Sequence, residues 1–105
     1  MSKFQQAVAA LFSENLARAR KHAGLSQEEV GYRASLHRTE ISLLERGTRI
    51  PQLDTILKLA GGLSISPCEL LPDIAWVPGA TEPGRFELID RKDREVRSDP
   101  DPGSD

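Results

Sequence analysis

The chain has a single cysteine, Cys68, and only five aromatic residues among its 105 residues. One cysteine excludes an internal disulfide and any cysteine-based metal cluster. Cys68 is predicted to be a small buried apolar residue. The scarcity of aromatic rings leaves a core of leucine, isoleucine, valine and alanine, which favours a helical bundle.

No apolar run approaches the roughly 20 residues that cross a bilayer, and no cleavage pattern follows the short apolar patch near the N-terminus. We therefore expect a cytoplasmic protein that does not associate with membranes.

Patterns typical of catalysis are also missing from the sequence. There is no glycine-rich phosphate loop, no Cys–His pair at metal-ligand spacing and no clustered acid pair in a plausible cleft. His37 is predicted to face solvent or phosphate, and one histidine is weak evidence for a metal site. The sequence therefore predicts a protein that is not an enzyme and that holds neither a metal nor a cofactor.

An excess of positive charge is absent too, since the formal net charge is −2. This value alone argues against binding to nucleic acid. The charge is unevenly distributed, however: residues 13–72 carry eight basic and seven acidic groups, whereas residues 73–105 carry five basic and nine acidic groups. Salt screens charges beyond about 8–10 Å, so local charge governs contact with phosphates. The central stretch contains a cluster of four arginines: Arg33, Arg38, Arg46 and Arg49.

The stretch from 25 to 51 is predicted to form two short helices joined by a tight turn. Ser26 is a good N-cap, and Glu29 three residues later completes a capping box. The sequence Ser-Leu-His at 35–37 interrupts the first helix. The second helix is predicted from about Arg38 to Glu45, and Gly47 follows where a left-handed residue typically ends a helix. Helices this short need partners on both sides.

The flanking segments supply those partners. A helix is predicted over residues 4–22, and residues 1–12 form an N-terminal helical extension of the domain at 13–72. Another is predicted over 52–63, and Ser66 caps a last short helix that ends near Leu71. The fourth helix has an apolar pattern at helical spacing, which predicts its inner face: Leu53, Ile56, Leu57 and Ala60. The predicted fold is all-α, with five helices.

The C-terminal part departs from the helical pattern. Residues 73–91 contain two short apolar segments, which either pair as a small β-hairpin, with Trp76 and Phe86 as anchors, or dock in extended form on the bundle or on a second subunit. Residues 92–105 have no apolar periodicity and are predicted to be disordered.

Several features in register resemble one family of proteins. They are SQEE at the start of the second helix, IS-LLERG at the end of the third, and the LDTILKLA helix after a proline. Together they resemble the Cro/phage-repressor, or Xre-like, helix-turn-helix family over about residues 13–72. The resemblance implies a five-helix lambda-repressor-like bundle that binds double-stranded DNA. It also implies an ion pair between Arg20 and Glu45 that locks two helices together.

The resemblance assigns roles to individual residues. The third helix would enter the major groove, where four residues contact bases: Arg38, Thr39, Ser42 and Leu43. Two segments would contact phosphates through five residues: Ser26, Gln27, Arg46, Thr48 and Arg49. Glu40 departs from the family, since relatives often have a neutral or aromatic residue there. A carboxylate near phosphates is unfavourable unless it accepts from cytosine N4 or pairs with Arg38.

One such unit contacts a short half-site, so we expect a homodimeric transcriptional regulator, most simply a repressor, on a palindromic operator. The leading candidates for the interface are apolar residues of the C-terminal extension: Ile74, Trp76, Val77, Phe86, Leu88 and Ile89. The fourth and fifth helices are the second candidate, and a monomer whose extension covers its own core is the alternative to a dimer. A different function is also open, in which the extension binds and neutralises a toxin or other protein partner while the protein regulates its own operon.

Overall fold

The computed structural model describes residues 1–89, and it divides the chain into one unit at 1–71 and a second that begins at residue 72. The first unit holds four α-helices and one short 3-10 turn, and the described part of the second, up to residue 89, holds two strands. In chain order they are α1 (Lys3–His22), α2 (Gln27–Ala34), α3 (Arg38–Glu45), α4 (Leu53–Leu63), the 3-10 turn (Pro67–Glu69), β1 (Asp73–Val77) and β2 (Arg85–Ile89).

Helix α1 is continuous from the N-terminal extension into the domain. Ser2 is its N-cap: the hydroxyl accepts from the amide of Gln5, and the Gln5 side chain accepts from the amide of Ser2, which forms a capping box. Phe12 and Leu16 are buried in the core, and their spacing of four residues places them on one face of α1. Phe4 follows the same helical spacing but is exposed, and the first buried residue of α1 is Ala9.

The core of the first unit lies where α1, α2, α3 and α4 meet. Its members are aliphatic apart from one phenylalanine: Phe12, Leu16, Val30, Ala34, Ile41, Leu44, Leu59, Ala60, Leu63 and Leu70. The side chain of Asn15 donates to the carbonyl oxygens of Leu70 (3.2 Å) and Leu71 (3.0 Å), which fastens the end of the unit to α1.

The inner face of α4 differs from the prediction at two positions. Leu53 and Leu57 are 74% and 53% exposed, whereas Thr55 and Leu59 are buried. The apolar residues of α4 span about half of the helix surface. Packing against α2 turns inward the edge of this arc that carries Leu59 and Leu63, together with Thr55, and leaves Leu53 and Leu57 at the exposed edge.

The fifth predicted helix is only a single 3-10 turn at Pro67–Glu69. Ser66 caps it as expected, since its hydroxyl accepts from the amide of Cys68 at 3.2 Å. The five-helix count is therefore wrong. Pro72 follows shortly after the turn and disfavours helical backbone at the residue before it, which opposes a longer helix here. Cys68 is exposed, contrary to the prediction that it is buried. Leu70 is the residue next to this turn that packs into the core.

The second unit is an antiparallel β-hairpin within residues 72–89. Trp76 pairs with Phe86 across the strands, and their ring centroids lie 5.0 Å apart. A side chain at Gly84 would collide with the Trp76 ring, so this glycine lets the indole cross the hairpin. The predicted disorder of residues 92–105 concerns a segment outside the described residues.

Candidate nucleic-acid interface

Helix α3 turns one side to the core and the other to solvent. Ile41 and Leu44 are fully buried against the other helices. Arg38 and Thr39 are exposed, and Ser42 and Leu43 are half-buried. We call these last four residues the outward face of α3. A short rigid helix with one arginine at its first position and small polar groups behind it has dimensions that suit the major groove of B-DNA.

The N-cap of α3 is His37, which was not predicted from the sequence. Nδ1 of His37 accepts a hydrogen bond from the amide of Thr39 at 3.0 Å. His37 thereby satisfies one of the otherwise unpaired amides in the first turn of the helix. Serine, threonine, aspartate and asparagine are the usual caps, so a histidine at this place gave no clear signal.

The turn between α2 and α3 depends on a close approach of two backbone segments. The amide of Leu36 donates to the carbonyl of Gly31 at 2.8 Å. A Cβ atom at Gly31 would lie only 2.6 Å from the carbonyl oxygen of Leu36, so only glycine fits without a shift of the turn. Ser35 takes the left-handed conformation, with φ of 59°. The direction in which α3 leaves α2 is therefore fixed by backbone contacts.

An ion pair joins α3 to α1, as expected. Nε of Arg20 lies 2.6 Å from Oε2 of Glu45, and Nη2 donates to Oε1 at 3.0 Å, so the contact is bidentate. The two side chains are 15% and 8% exposed. Arg20 also donates to the carbonyl of Leu25 at 2.9 Å. The hydrogen bond to Glu45, followed by the attraction of its charge, raises the pKa of Arg20 against the opposing effect of burial.

The first turn of α2 is held by the capping box that the sequence predicts. The Ser26 hydroxyl accepts from the amide of Glu29 at 3.0 Å, and the Glu29 carboxylate accepts from the amide of Ser26 at 2.7 Å. These bonds lower the pKa of Glu29, the backbone bond most strongly. The side chain of Gln27 donates to Oε1 of Glu45 at 3.1 Å, so the start of α2 is tied to the end of α3.

The loop after α3 folds back along the same helix. Gly47 has a positive φ of 70°, as predicted for the residue that ends the helix. The Thr48 hydroxyl donates to the carbonyl of Leu43 at 2.9 Å. Nη1 of Arg49 lies 2.8 Å from Oε1 of Glu40, in the first turn of α3. The loop therefore contacts α3 both in the first turn of the helix, at Glu40, and near its C-terminal end, at Leu43.

A family model described as Helix-turn-helix matches residues 16–70, a span that covers α2, α3 and the turn between them. The chain belongs to the Cro/phage-repressor (Xre-like) helix-turn-helix family. This membership confirms the resemblance inferred from the SQEE and LLERG segments.

Relatives within the helix-turn-helix family support the assignment. The chain is 39% identical over 71 residues to an uncharacterized HTH-type transcriptional regulator, y4dJ, of Sinorhizobium fredii, covering 68% of this chain and 92% of that protein. It is 40% identical over 62 residues to the control protein C.BamHI of Bacillus amyloliquefaciens, covering 58% and 76%. The crystal structure of the restriction-modification controller protein C.AhdI from Aeromonas hydrophila superposes with a TM-score of 0.58 at 40% identity, covering 60% of this chain and 96% of that one.

The predicted DNA-contacting residues of this helix-turn-helix unit lie on three neighbouring elements. The base-contacting set is the outward face of α3. Ser26 and Gln27 stand at the start of α2, and Arg46, Thr48 and Arg49 lie in the loop after α3. Four of these residues already have partners within the protein. The Ser26 hydroxyl accepts from the amide of Glu29, and Gln27 donates to Glu45. Thr48 donates to the carbonyl of Leu43, and Arg49 donates to Glu40. The partner of Glu40 is therefore Arg49, not the Arg38 that the sequence suggested.

The six predicted interface residues of the C-terminal extension do not share one face of the hairpin. Strand pairing joins Ile74 with Leu88 and Trp76 with Phe86, and these four side chains form one face. Val77 and Ile89 alternate to the opposite face. Ile74, Trp76 and Phe86 are 51%, 57% and 55% exposed. We call the four residues the hairpin face.

Within residues 1–89, no group of three histidine, cysteine, aspartate or glutamate side chains is placed to hold a metal ion. Nor does any helix in this range have both the length and the apolar character needed to cross a membrane.

Proposed function

We propose that this protein is a sequence-specific regulator of transcription that binds double-stranded DNA as a homodimer on a palindromic operator, most simply as a repressor. The observation that supports this proposal most directly is the outward face of α3. It is accessible, and α3 is held from behind by Ile41 and Leu44 and from the side by Arg20 through Glu45. Because the backbone of α3 is already ordered in this way, little backbone entropy is lost when the helix binds a groove.

Contacts with phosphates would place α3 in its register. The exposed amides at the start of α2 carry the positive end of the helix dipole, which favours an anion. The hydroxyl of Ser26 retains a hydrogen to donate, because the capping box uses it only as an acceptor. Arg46, Thr48 and Arg49 would contact a second phosphate cluster from the loop. Arg38 would then bind guanine O6 and N7 in the major groove.

The relatives suggest a narrower kind of regulator. C.AhdI is named as a restriction-modification controller protein, and C.BamHI as a control protein. We extend the proposal to a regulator of this controller type, whose operator would lie beside restriction and modification genes. Selection of bound fragments from genomic DNA tests both levels of the proposal at once.

The expected result of that selection is an enriched motif with two-fold symmetry. Binding to it should weaken steeply with salt, with a log–log slope of about −0.9 for each phosphate that a basic group neutralises. Two half-sites should be separated by about one helical turn, near 34 Å. Selection that returns no motif would contradict sequence-specific recognition, and a motif far from restriction and modification genes would contradict only the controller type.

The hairpin face is our candidate for the dimer interface, with a second copy of the chain as its occupant. An aromatic side chain of this size that is half exposed leaves on the order of 100 Å² in contact with water. The whole face then offers roughly 300–400 Å² per protomer, less than the ~600–800 Å² per protomer of stable interfaces. We therefore expect a weak dimer in free solution that the operator strengthens by binding both copies.

Replacing Ile74 with glutamate should weaken this dimer at least about tenfold, because a carboxylate would have to lose its hydration in an apolar contact. Sedimentation velocity over a range of concentrations measures the effect. Arg85→Gln is the matched control, since it changes the net charge by the same amount on the opposite face of the hairpin. If Leu53→Glu on α4 dissociates the dimer and Ile74→Glu does not, the interface lies on the helical unit instead.

A further inference from the structure

The contact between Glu40 and Arg49 links the recognition helix to the loop that the proposed function places on phosphates. Oε1 of Glu40 and Nη1 of Arg49 are 2.8 Å apart, and the side chains are 27% and 48% exposed. Glu40 lies in the first turn of α3, one helical turn before Leu43, whose carbonyl accepts from Thr48. Glu40, Leu43, Thr48 and Arg49 therefore lie along one flank of α3.

This flank differs in charge from the rest of the interface. Among Arg38, Arg46 and Arg49, only Arg49 forms an ion pair within the part of the chain that the structure describes. The carboxylate of Glu45, at the other end of α3, points away to Arg20 and Gln27. Of the two carboxylates of α3, Glu40 is thus the more exposed one, and it is the one that does not point away toward α1 and α2. Phosphates that approach Arg49 also approach Glu40.

We propose that Glu40 is a specificity-determining residue that exchanges Arg49 for the N4 amine of a cytosine when the protein meets its operator. This inference depends on the proposed function. In the free protein, Glu40 holds Arg49. In the operator complex, Arg49 moves to a phosphate and Glu40 accepts a hydrogen bond from cytosine in the major groove, the base amine that suits a carboxylate.

The exchange distinguishes the operator from other DNA. On an unrelated sequence, Arg49 can reach a phosphate only by leaving an unpaired carboxylate beside the phosphates and the acceptor groups of other bases. An exposed ion pair contributes only a small free energy. Loss of the contact between Glu40 and Arg49 should therefore lower the affinity for unrelated DNA by about two- to fivefold relative to the operator. On the operator, the cytosine amine replaces the lost partner. Glu40 therefore weakens binding to random DNA more than binding to the operator.

The test compares the wild type with Glu40→Gln on a random-sequence duplex and on the motif that the wild type selects. The variant should bind the random duplex about two- to fivefold more tightly, with a salt slope steeper by about 0.9, since Arg49 then acts as a full phosphate contact. A library selected with the variant should lose one cytosine preference of about fivefold or more. Glu69→Gln, in the 3-10 turn, is the control for net charge and should change neither result.

A double-variant experiment separates the exchange from simple repulsion. In an Arg49→Ala background, the gain from Glu40→Gln on random duplex should largely disappear, because no arginine remains to be released. A gain that persists in full, or an unchanged cytosine preference, would overturn the inference. These outcomes leave the proposed function intact as long as the wild type selects a motif. If the wild type binds no duplex in a salt-dependent way, the proposed function itself fails.

Discussion

Replacing Glu45 with alanine is expected to lower the free energy of unfolding by about 3 kcal/mol. The carboxylate accepts from both Arg20 and Gln27, and its side chain is 8% exposed. Its removal would leave a largely buried guanidinium with only the carbonyl of Leu25 as a partner. The cost of an unpaired charge in such a place exceeds the net value of the pair itself.

Urea unfolding followed by far-ultraviolet circular dichroism measures this effect. Glu40→Ala is the matched control, because it removes the other carboxylate of α3 that forms an ion pair, one that is more exposed and should contribute less than about 1 kcal/mol. Equal losses in the two variants would show that the contact of Glu45 with Arg20 has no special role in joining α3 to α1.

A replacement of both partners tests the cause of the loss. The double variant Arg20→Met, Glu45→Leu fills a similar volume with apolar groups and leaves no unpaired charge, so it should recover much of the stability lost in Glu45→Ala. Recovery would show that the loss in Glu45→Ala comes mainly from the unpaired charge of Arg20, and that the ion pair itself adds little net stability. Further loss would instead show that the hydrogen bonds of the pair contribute net stability.

The sequence predicted the helix-turn-helix elements well because their signals are local. Ser26 and Glu29 form a capping box within four residues, and Gly47 ends α3 with a positive φ. Ile41 and Leu44 follow the helical period, and the other residues of α3 are polar apart from Leu43, so the sequence favours one inner face. The extents of α2 and α3 follow from such features within single turns.

The errors in the fold occur where local signals are ambiguous. On α4, the buried face is displaced from the centre of the apolar arc toward Thr55 and Gly62, so Leu53 and Leu57 fitted the period but are exposed. Gly61 and Gly62 lie within α4, although glycine is unfavourable in the interior of a helix. A Cβ at Gly62 would lie 3.1 Å from the amide nitrogen of Ala34, so this glycine permits the close packing of α4 on α2. Contacts between helices decide such cases, and spacing within one helix does not reveal them.

The same distinction applies to the candidate site. The positions of Arg38 and Thr39 on an exposed helix follow from the period of α3. The partner of Arg49 does not, because the contact with Glu40 requires the loop to fold back along the helix. The sequence marked Glu40 as unusual, but only the structure supplies the cation that balances it.

Substitution of Arg38 by alanine should relax base preference at one position of each half-site, whereas substitution of Arg49 should weaken binding without changing that preference. A bidentate contact of arginine with guanine gives about 1–3 kcal/mol of discrimination against the wrong base. Arg38 is exposed at the first position of α3, where the N-terminal residues of a recognition helix contact base edges. Arg49 lies in the loop, where a phosphate is the expected partner.

The measurement is the affinity for the selected operator and for duplexes changed at the guanine assigned to Arg38, over a range of salt. Arg38→Ala should bring these affinities close together. Arg49→Ala should lower all of them by a similar factor and reduce the salt slope by about 1. Lys58→Ala on α4 removes an equal charge from an exposed position outside the proposed interface and should change neither quantity. If Arg38→Ala and Arg49→Ala cannot be told apart, α3 does not read bases through Arg38, and the division between its outward face and the loop is wrong.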